Sequence, residues 1–103
     1  MVEEKDHVFI NSVNQMDMII GRLFIRTKFD DAINMMNEVR KYYDDNKKNH
    51  NYQVVAEALE VLIYHFGDFQ SKNSKGDFGN TVTEHLHYFL NERKKINITP
   101  MGM

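Results

Sequence analysis

The stretch that decides the fold is YQVVAEALEVLIYHFGDF, residues 52–69. At about 100° per residue, its apolar side chains cover most of the circumference of an α-helix. The broad apolar arc consists of Tyr52, Val55, Leu59, Leu62, Ile63, Phe66 and Phe69. The strip left for water consists of Gln53, Glu57, Glu60, Tyr64 and Gly67. Because so apolar a helix is unstable alone in water, the remaining segments must enclose it.

Length and composition predict one small globular domain. The chain has 103 residues, of which 42% are hydrophobic and 27% are charged, enough for a single core and a well-hydrated surface. The formal net charge of -2 provides no overall attraction to nucleic acid or to an anionic membrane. The absence of cysteine excludes disulfides and thiolate chemistry. With no signal-peptide pattern and no long apolar run, we expect a cytoplasmic protein, and lysine- and asparagine-rich usage is typical of a low-GC bacterium or its phage.

A first amphipathic helix is predicted over residues 6–26. Its stripe consists of Phe9, Val13, Met16, Ile20, Leu23 and Phe24, which recur at steps of three and four. Asp6 is the expected N-cap. Several β-branched residues leave strands at residues 8–10 or 19–25 as the competing interpretation. Gly21 costs about 1 kcal/mol relative to alanine in a helix. It therefore indicates either a strand at residues 19–25 or a close approach of a neighbouring helix.

A second helix is predicted to begin with a capping box formed by Thr27 and Asp30, which are three residues apart. Its buried stripe consists of Phe29, Ala32, Ile33, Met36, Val39 and Tyr43. Residues 44–51, DDNKKNHN, contain no apolar side chain and are rich in turn formers. They are therefore expected to form a solvent loop that joins the second helix to an antiparallel central helix.

The central helix is expected to end near Gly67, followed by a polar loop at residues 71–80. A second capping box, Thr81 with Glu84, would then start a last helix over residues 82–95. Its predicted buried residues are Val82, Leu86, Phe89, Leu90 and, at its end, Ile96. The fold class is therefore all-α, a small antiparallel four-helix bundle of residues 1–96, with a flexible tail at residues 97–103.

Catalytic chemistry has little support in these residues. Glu84 and His87 are one helical turn apart, the spacing that di-iron bundles use for two ligands of one metal. Such a site needs a second pair and two further glutamates, so we expect no metal, no cofactor and no enzyme activity, and a metal-dependent bundle enzyme is an alternative. Convergence of His65, His85 and Glu57 would change that expectation, because pairing can tune an imidazole for acid–base work.

Nucleic-acid binding is the other alternative. Two short basic segments could contact phosphates, and they contain Lys47, Lys48, His50, Arg93, Lys94 and Lys95. Acidic neighbours dilute both segments, and so specific nucleic-acid binding is not the favoured interpretation.

The favoured function is a noncatalytic protein–protein interaction module, an adaptor or inhibitor that docks a helical face on a partner. Several large apolar residues fall outside or at the border of the buried stripes. The candidate contacts are Met18, Ile19, Ile25, Met35 and Tyr42, with Tyr88 at a similar border position. Methionine and tyrosine suit adaptable contact surfaces. The partner would be another protein or a second copy of the chain, without nucleic acid or membrane.

Overall fold

Within residues 3–96, the part of the chain that the computed structural model describes, the predicted all-α fold is confirmed. The helices are α1 (Glu4–Ile25), α2 (Phe29–Asn46), α3 (Tyr52–Lys72) and α4 (Gly76–Lys95). A short 3₁₀ turn at Lys47–Asn49 follows α2. The strands considered at residues 8–10 and 19–25 are helical instead, because their apolar side chains have helical spacing. The expected tail at residues 97–103 lies outside the described residues.

The helices form a square in cross-section. α1 packs against α2 and α3, and α4 packs against α3 and α2. Although they are consecutive in the chain, α2 and α3 have almost no mutual contact and lie on a diagonal. The predicted antiparallel α2–α3 pair is therefore wrong as a packed hairpin. The wide apolar arc of α3 is covered by two flanking helices, α1 and α4.

α3 contributes more buried residues to the core than any other described helix, but it is one corner of the square, so the predicted enclosure of a central helix by the other three is wrong. The α3 residues Leu59, Leu62 and Phe66 are fully buried, and Glu57 faces water. Tyr52 is an error of the prediction, since its side chain at the helix start is 62% exposed. The other helices contribute Phe9, Val13, Ile20, Ala32, Met36, Val39, Tyr43, Val82 and Phe89 to the same core.

Two predicted helix starts are wrong in detail. Asp6 is not the N-cap of α1, because the helix begins earlier and the Asp6 carboxylate accepts a hydrogen bond from the Glu3 amide at 3.0 Å. The capping box of Thr27 and Asp30 does not form, since the Thr27 hydroxyl donates to the Arg26 carbonyl. Thr27 instead follows the end of α1 with a φ of 57°, the left-handed conformation common just after a helix.

The connection from α2 to α3 is more ordered than the predicted solvent loop. α2 continues to Asn46, and the 3₁₀ turn leads directly to Asn51. The Asn51 side chain accepts a hydrogen bond from the Val54 amide at 3.0 Å and so caps α3, in the manner typical of asparagine at this position.

The second predicted loop, residues 71–80, is largely helical. α3 continues past Gly67 to Lys72, and α4 begins at Gly76, which has a φ of 68°. Thr81 and Glu84 consequently lie inside α4 and form no capping box. Gly79 faces the backbone of Ser74, and this contact sets the short turn between the helices.

The last helix buries Val82, Leu86 and Phe89 as predicted. Leu90 is an error, with 36% of its surface exposed, because it lies about 40° beyond Leu86, at the edge of the buried stripe. Ile96 is partly buried against the core.

Candidate functional site: a groove containing a buried aspartate

Asp17 is the most unusual residue of the core. It lies on the inward face of α1, between Val13 and Ile20, and is 0% exposed. Aspartate is rarely fully buried unless another group pairs with its charge. This residue therefore requires either a partner or a changed protonation state.

Neither carboxyl oxygen of Asp17 has a hydrogen-bond partner among the described residues. Burial without compensation raises the pKa of Asp17 to about 9, because removal from water disfavours the ionised form. The carboxyl group is consequently protonated at neutral pH. A perturbed, unpaired acid of this kind often marks a functional position.

Asp17 lines a cleft of about 270 Å³ between α1 and α3. Both helices contribute apolar side chains and charged side chains to its lining. The other α1 residues of the cleft are Met18, Gly21, Arg22, Phe24 and Ile25, and those of α3 are His65, Asp68, Phe69 and Lys72. The site is thus a largely apolar cleft with one uncompensated carboxyl group.

His65 also belongs to a second cleft of about 450 Å³, which continues along the same two helices. Its other lining residues are Asn14, Glu57, Glu60, Val61 and Tyr64. We call these two clefts together the α1–α3 groove. Tyr64, 73% exposed, gives the groove an aromatic rim. Such a face, with apolar, aromatic and acidic groups along one line, can receive an extended or helical segment.

His65 is held at the junction of the two clefts. Its Nε2 donates to the Asn14 side-chain oxygen at 3.0 Å. Burial lowers the pKa of His65 despite the opposing effect of Asp68, so that the imidazole is neutral at pH 7. His65 therefore adds no charge to the α1–α3 groove and does not compensate Asp17.

Acidic groups outnumber basic ones in the α1–α3 groove. Glu57 and Glu60 face one end of it and Asp68 lines the other, whereas the protonated Asp17 adds no charge. Of the two cations there, Lys72 is paired with Asp68 at 3.0 Å, and the other is Arg22. Outside the groove, the Arg93 Nε of α4 lies 4.0 Å from a Glu60 oxygen. Because carboxylates outnumber cations in the groove, its charge favours a cationic ligand over an anionic one.

The five predicted contact residues do not converge on a single surface. Met18 and Ile25 lie in the α1–α3 groove and are 41% and 79% exposed. Ile19, 37% exposed, lies outside the groove. Met35 and Tyr42 are partly buried against the core, and Tyr42 lines a separate cleft between α1 and α2.

The two basic segments, in contrast, meet at one end of the bundle. The Lys47 and Lys95 side chains both donate to Glu92, at 2.7 and 3.1 Å, and Tyr43 donates to it at 3.0 Å. Burial alone would raise the pKa of Glu92, but these hydrogen bonds outweigh it and hold the pKa below its ordinary value. The cluster joins α2 to α4, and its cations already have a carboxylate partner.

His50, the other member of these segments, has a structural partner as well. Its Nδ1 lies 2.6 Å from an Asp6 carboxylate oxygen, and both side chains are buried. The imidazole also stacks on Phe9, with ring centroids 4.3 Å apart. The hydrogen bond from His50 is the main reason that the pKa of Asp6 is lowered. These contacts tie the start of α1 to the turn after α2.

The alternative metal ligands Glu84 and His87 are both exposed on α4. Among the described residues, no group of three histidine, aspartate or glutamate side chains could hold a metal ion. His85 lies elsewhere: its Nε2 donates to Asn37 at 3.1 Å, and its Nδ1 lies 3.4 Å from an Arg40 nitrogen. His65, His85 and Glu57 thus do not form one cluster.

Sequence reasoning missed Asp17, although a signal was available. Position 17 follows Val13 by four residues and precedes Ile20 by three, so it belongs to the inward stripe of α1. The prediction placed Met16 in that stripe and passed over the carboxylate beside it. A charged residue at such a position indicates a buried polar site.

The chain matches no protein-family model, no curated protein and no solved structure. In the described part of the chain, every helix falls short of the length and apolarity needed to span a bilayer. The geometry of the chain is therefore the basis for assigning a function.

Proposed function

We propose that the protein is a noncatalytic interaction module that binds another protein in the α1–α3 groove. The observation that carries the proposal is the exposure of Met18 and Ile25 beside the unpaired carboxyl group of Asp17. Exposed apolar side chains and an unsatisfied buried acceptor in one cleft are both stabilised when a complementary surface covers them.

The chemistry of the α1–α3 groove specifies the partner. The groove offers apolar contacts through Met18, Ile25 and Tyr64, and it carries an excess of acidic groups. A matching segment combines apolar side chains with lysine or arginine. Its mode of binding is the docking of a helix or an extended strand between α1 and α3, by which the module covers or bridges its partner.

The experiment starts with recovery of complexes from cells that naturally express the chain, followed by reconstitution with the purified partner. The doubly substituted variant Met18→Lys/Ile25→Lys replaces exposed apolar groups with charges that repel a cationic segment. We expect this variant to weaken binding by roughly tenfold or more. Leu90→Lys, at a partly exposed position of α4 outside the groove, is the matched control and should bind normally.

The proposal is overturned if no stoichiometric complex forms, or if the double variant binds as well as the unaltered chain. Light scattering separates the two kinds of partner. A concentration-dependent dimer that the double variant abolishes would show that the groove receives a second copy of this chain, in place of the cationic partner that we propose.

A further inference from the structure

The buried carboxyl group of Asp17 is not explained by the docking of an apolar face alone. Its two oxygens are wholly buried, unpaired among the described residues and part of the lining of the 270 Å³ cleft. An interaction face that used apolar contacts alone would be more stable with a leucine or methionine at this position. A ligand that donates hydrogen bonds to the carboxyl group would explain why an aspartate occupies this position.

The walls of the cleft restrict the shape of that ligand. Phe24, Phe69 and Met18 supply apolar surface around Asp17, and so the ligand must reach the carboxyl group through an apolar stem. Lysine and arginine side chains combine such a stem with a cationic head that donates several hydrogen bonds. Phe69 packs over Gly21, 3.6 Å from the position that a methyl group there would take, and both Asp17 oxygens are covered in the free protein. The entering side chain therefore displaces part of the apolar wall of the cleft.

We infer that Asp17 is the specificity-determining acceptor for one lysine or arginine side chain of the partner, which enters the cleft between α1 and α3. This inference rests on the proposed function and names the chemistry that the partner must carry. Bound, the ammonium or guanidinium group donates to the carboxylate, which then becomes ionised. The proton that Asp17 holds in the free protein passes to solvent.

The charged groups around Asp17 are compatible with this inference. Arg22 and Lys72 are the cations that line the cleft, Asp68 is its other carboxylate and His65 is neutral at pH 7. Lys72 is held by Asp68 at 3.0 Å, and Arg22 is exposed, where water and salt screen its charge. An incoming cation is therefore opposed mainly by a screened charge at the rim.

The test uses the full chain and small probes in place of the partner. n-Butylammonium and n-butylguanidinium reproduce the lysine and arginine heads on an apolar stem, and 1-butanol is a neutral probe of similar size. Binding is followed by amide NMR titration, together with the carboxyl carbon resonance of Asp17. We expect saturable shifts at α1 and α3 residues of the cleft, ionisation of Asp17, and affinity for the cations roughly tenfold above that for butanol.

Two variants locate the bound cation. Asp17→Asn keeps the shape of the protonated acid but cannot ionise, and it should lower affinity for the cations to that for butanol. Glu84→Gln removes an exposed carboxylate of α4 outside the α1–α3 groove and should leave the affinity within about twofold. The amide spectrum of each variant verifies its fold.

Four results would overturn the inference: equal affinity for butanol and the cations, cation binding that survives in Asp17→Asn, cation binding that is lost in Glu84→Gln, and no binding of either cation. None of these results affects the reconstituted complex and its sensitivity to Met18→Lys/Ile25→Lys. Failure of the inference is thus distinguishable from failure of the proposed function.

Discussion

Gly79 of α4 lies against the backbone of Ser74 so closely that a methyl group on its Cα would be 2.2 Å from the Ser74 carbonyl carbon. The obstacle is main chain, which cannot rotate away as a side chain can. A glycine inside a helix ordinarily costs about 1 kcal/mol relative to alanine. Here glycine is required, because it allows the chain to turn from α3 into α4 within a few residues.

Gly79→Ala should therefore destabilise the protein by about 1–3 kcal/mol, since the added methyl forces a backbone shift. Gly67→Ala is the matched control, because no atom lies within 4 Å of the added methyl there, and it should stabilise by roughly 0.5–1 kcal/mol. Urea denaturation midpoints measure both effects. Equal midpoints for the two variants would contradict the contact with Ser74.

Asp17 should make stability fall as the pH rises. Its folded pKa of about 9 lies above the ordinary value of 3.8, so between these values the folded state holds a proton that the unfolded state has released. The contribution is fully present below pH 3.8 and is lost progressively up to pH 9, amounting to about 4 kcal/mol between pH 4 and pH 7.

Asp17→Asn should remove this pH dependence, since the amide cannot ionise. We expect the free energy of unfolding of the variant, relative to the unaltered protein, to increase steadily from pH 4 to pH 8 in denaturant titrations. The difference between the two proteins isolates Asp17 from the other carboxylates. Parallel curves over that range would show that Asp17 is not a buried neutral acid.

The Glu92 cluster should be sensitive to loss of charge. Glu92→Gln weakens the hydrogen bonds from Lys47 and Lys95 and should lower the free energy of unfolding by about 1–3 kcal/mol. Because the pKa of Glu92 is lowered, its contribution is present above the ordinary pKa of glutamate and disappears as the pH falls through the folded value. Thermal unfolding at pH 7, with the exposed Glu84→Gln as control, measures the effect, and equal melting temperatures would refute it.

Thr27→Gly should stabilise the protein. Thr27 has a φ of 57° at the end of α1, a conformation that is costly for a β-branched residue and accessible to glycine. We expect a gain of about 1 kcal/mol in the free energy of unfolding, measured by denaturant titration. Thr81→Gly, inside α4, should instead lose about 0.5 kcal/mol. Loss of stability in both variants would be inconsistent with strain at Thr27.

The sequence by itself determined the all-α class and the buried face of α3. Both follow from local periodicity, since side chains that recur at helical spacing must share one face, as Leu59, Leu62 and Phe66 do. Helix ends were predicted less well, because Asp6, Thr27 and Thr81 have capping side chains whose use depends on where the neighbouring chain runs. Polar residues near Gly76 resembled a loop, yet packing extended α4 through them.

Only the tertiary structure decided which helices are neighbours, and with them the candidate site. The pairing of α1 with α3 places His65 and Phe69 in one cleft with Asp17, although about fifty positions separate them from it in the chain. The same packing separates Met35 and Tyr42 from Met18 and Ile25. Periodicity reports which face of a helix is apolar. It does not report which other helix covers that face, because that choice depends on contacts between residues distant in sequence.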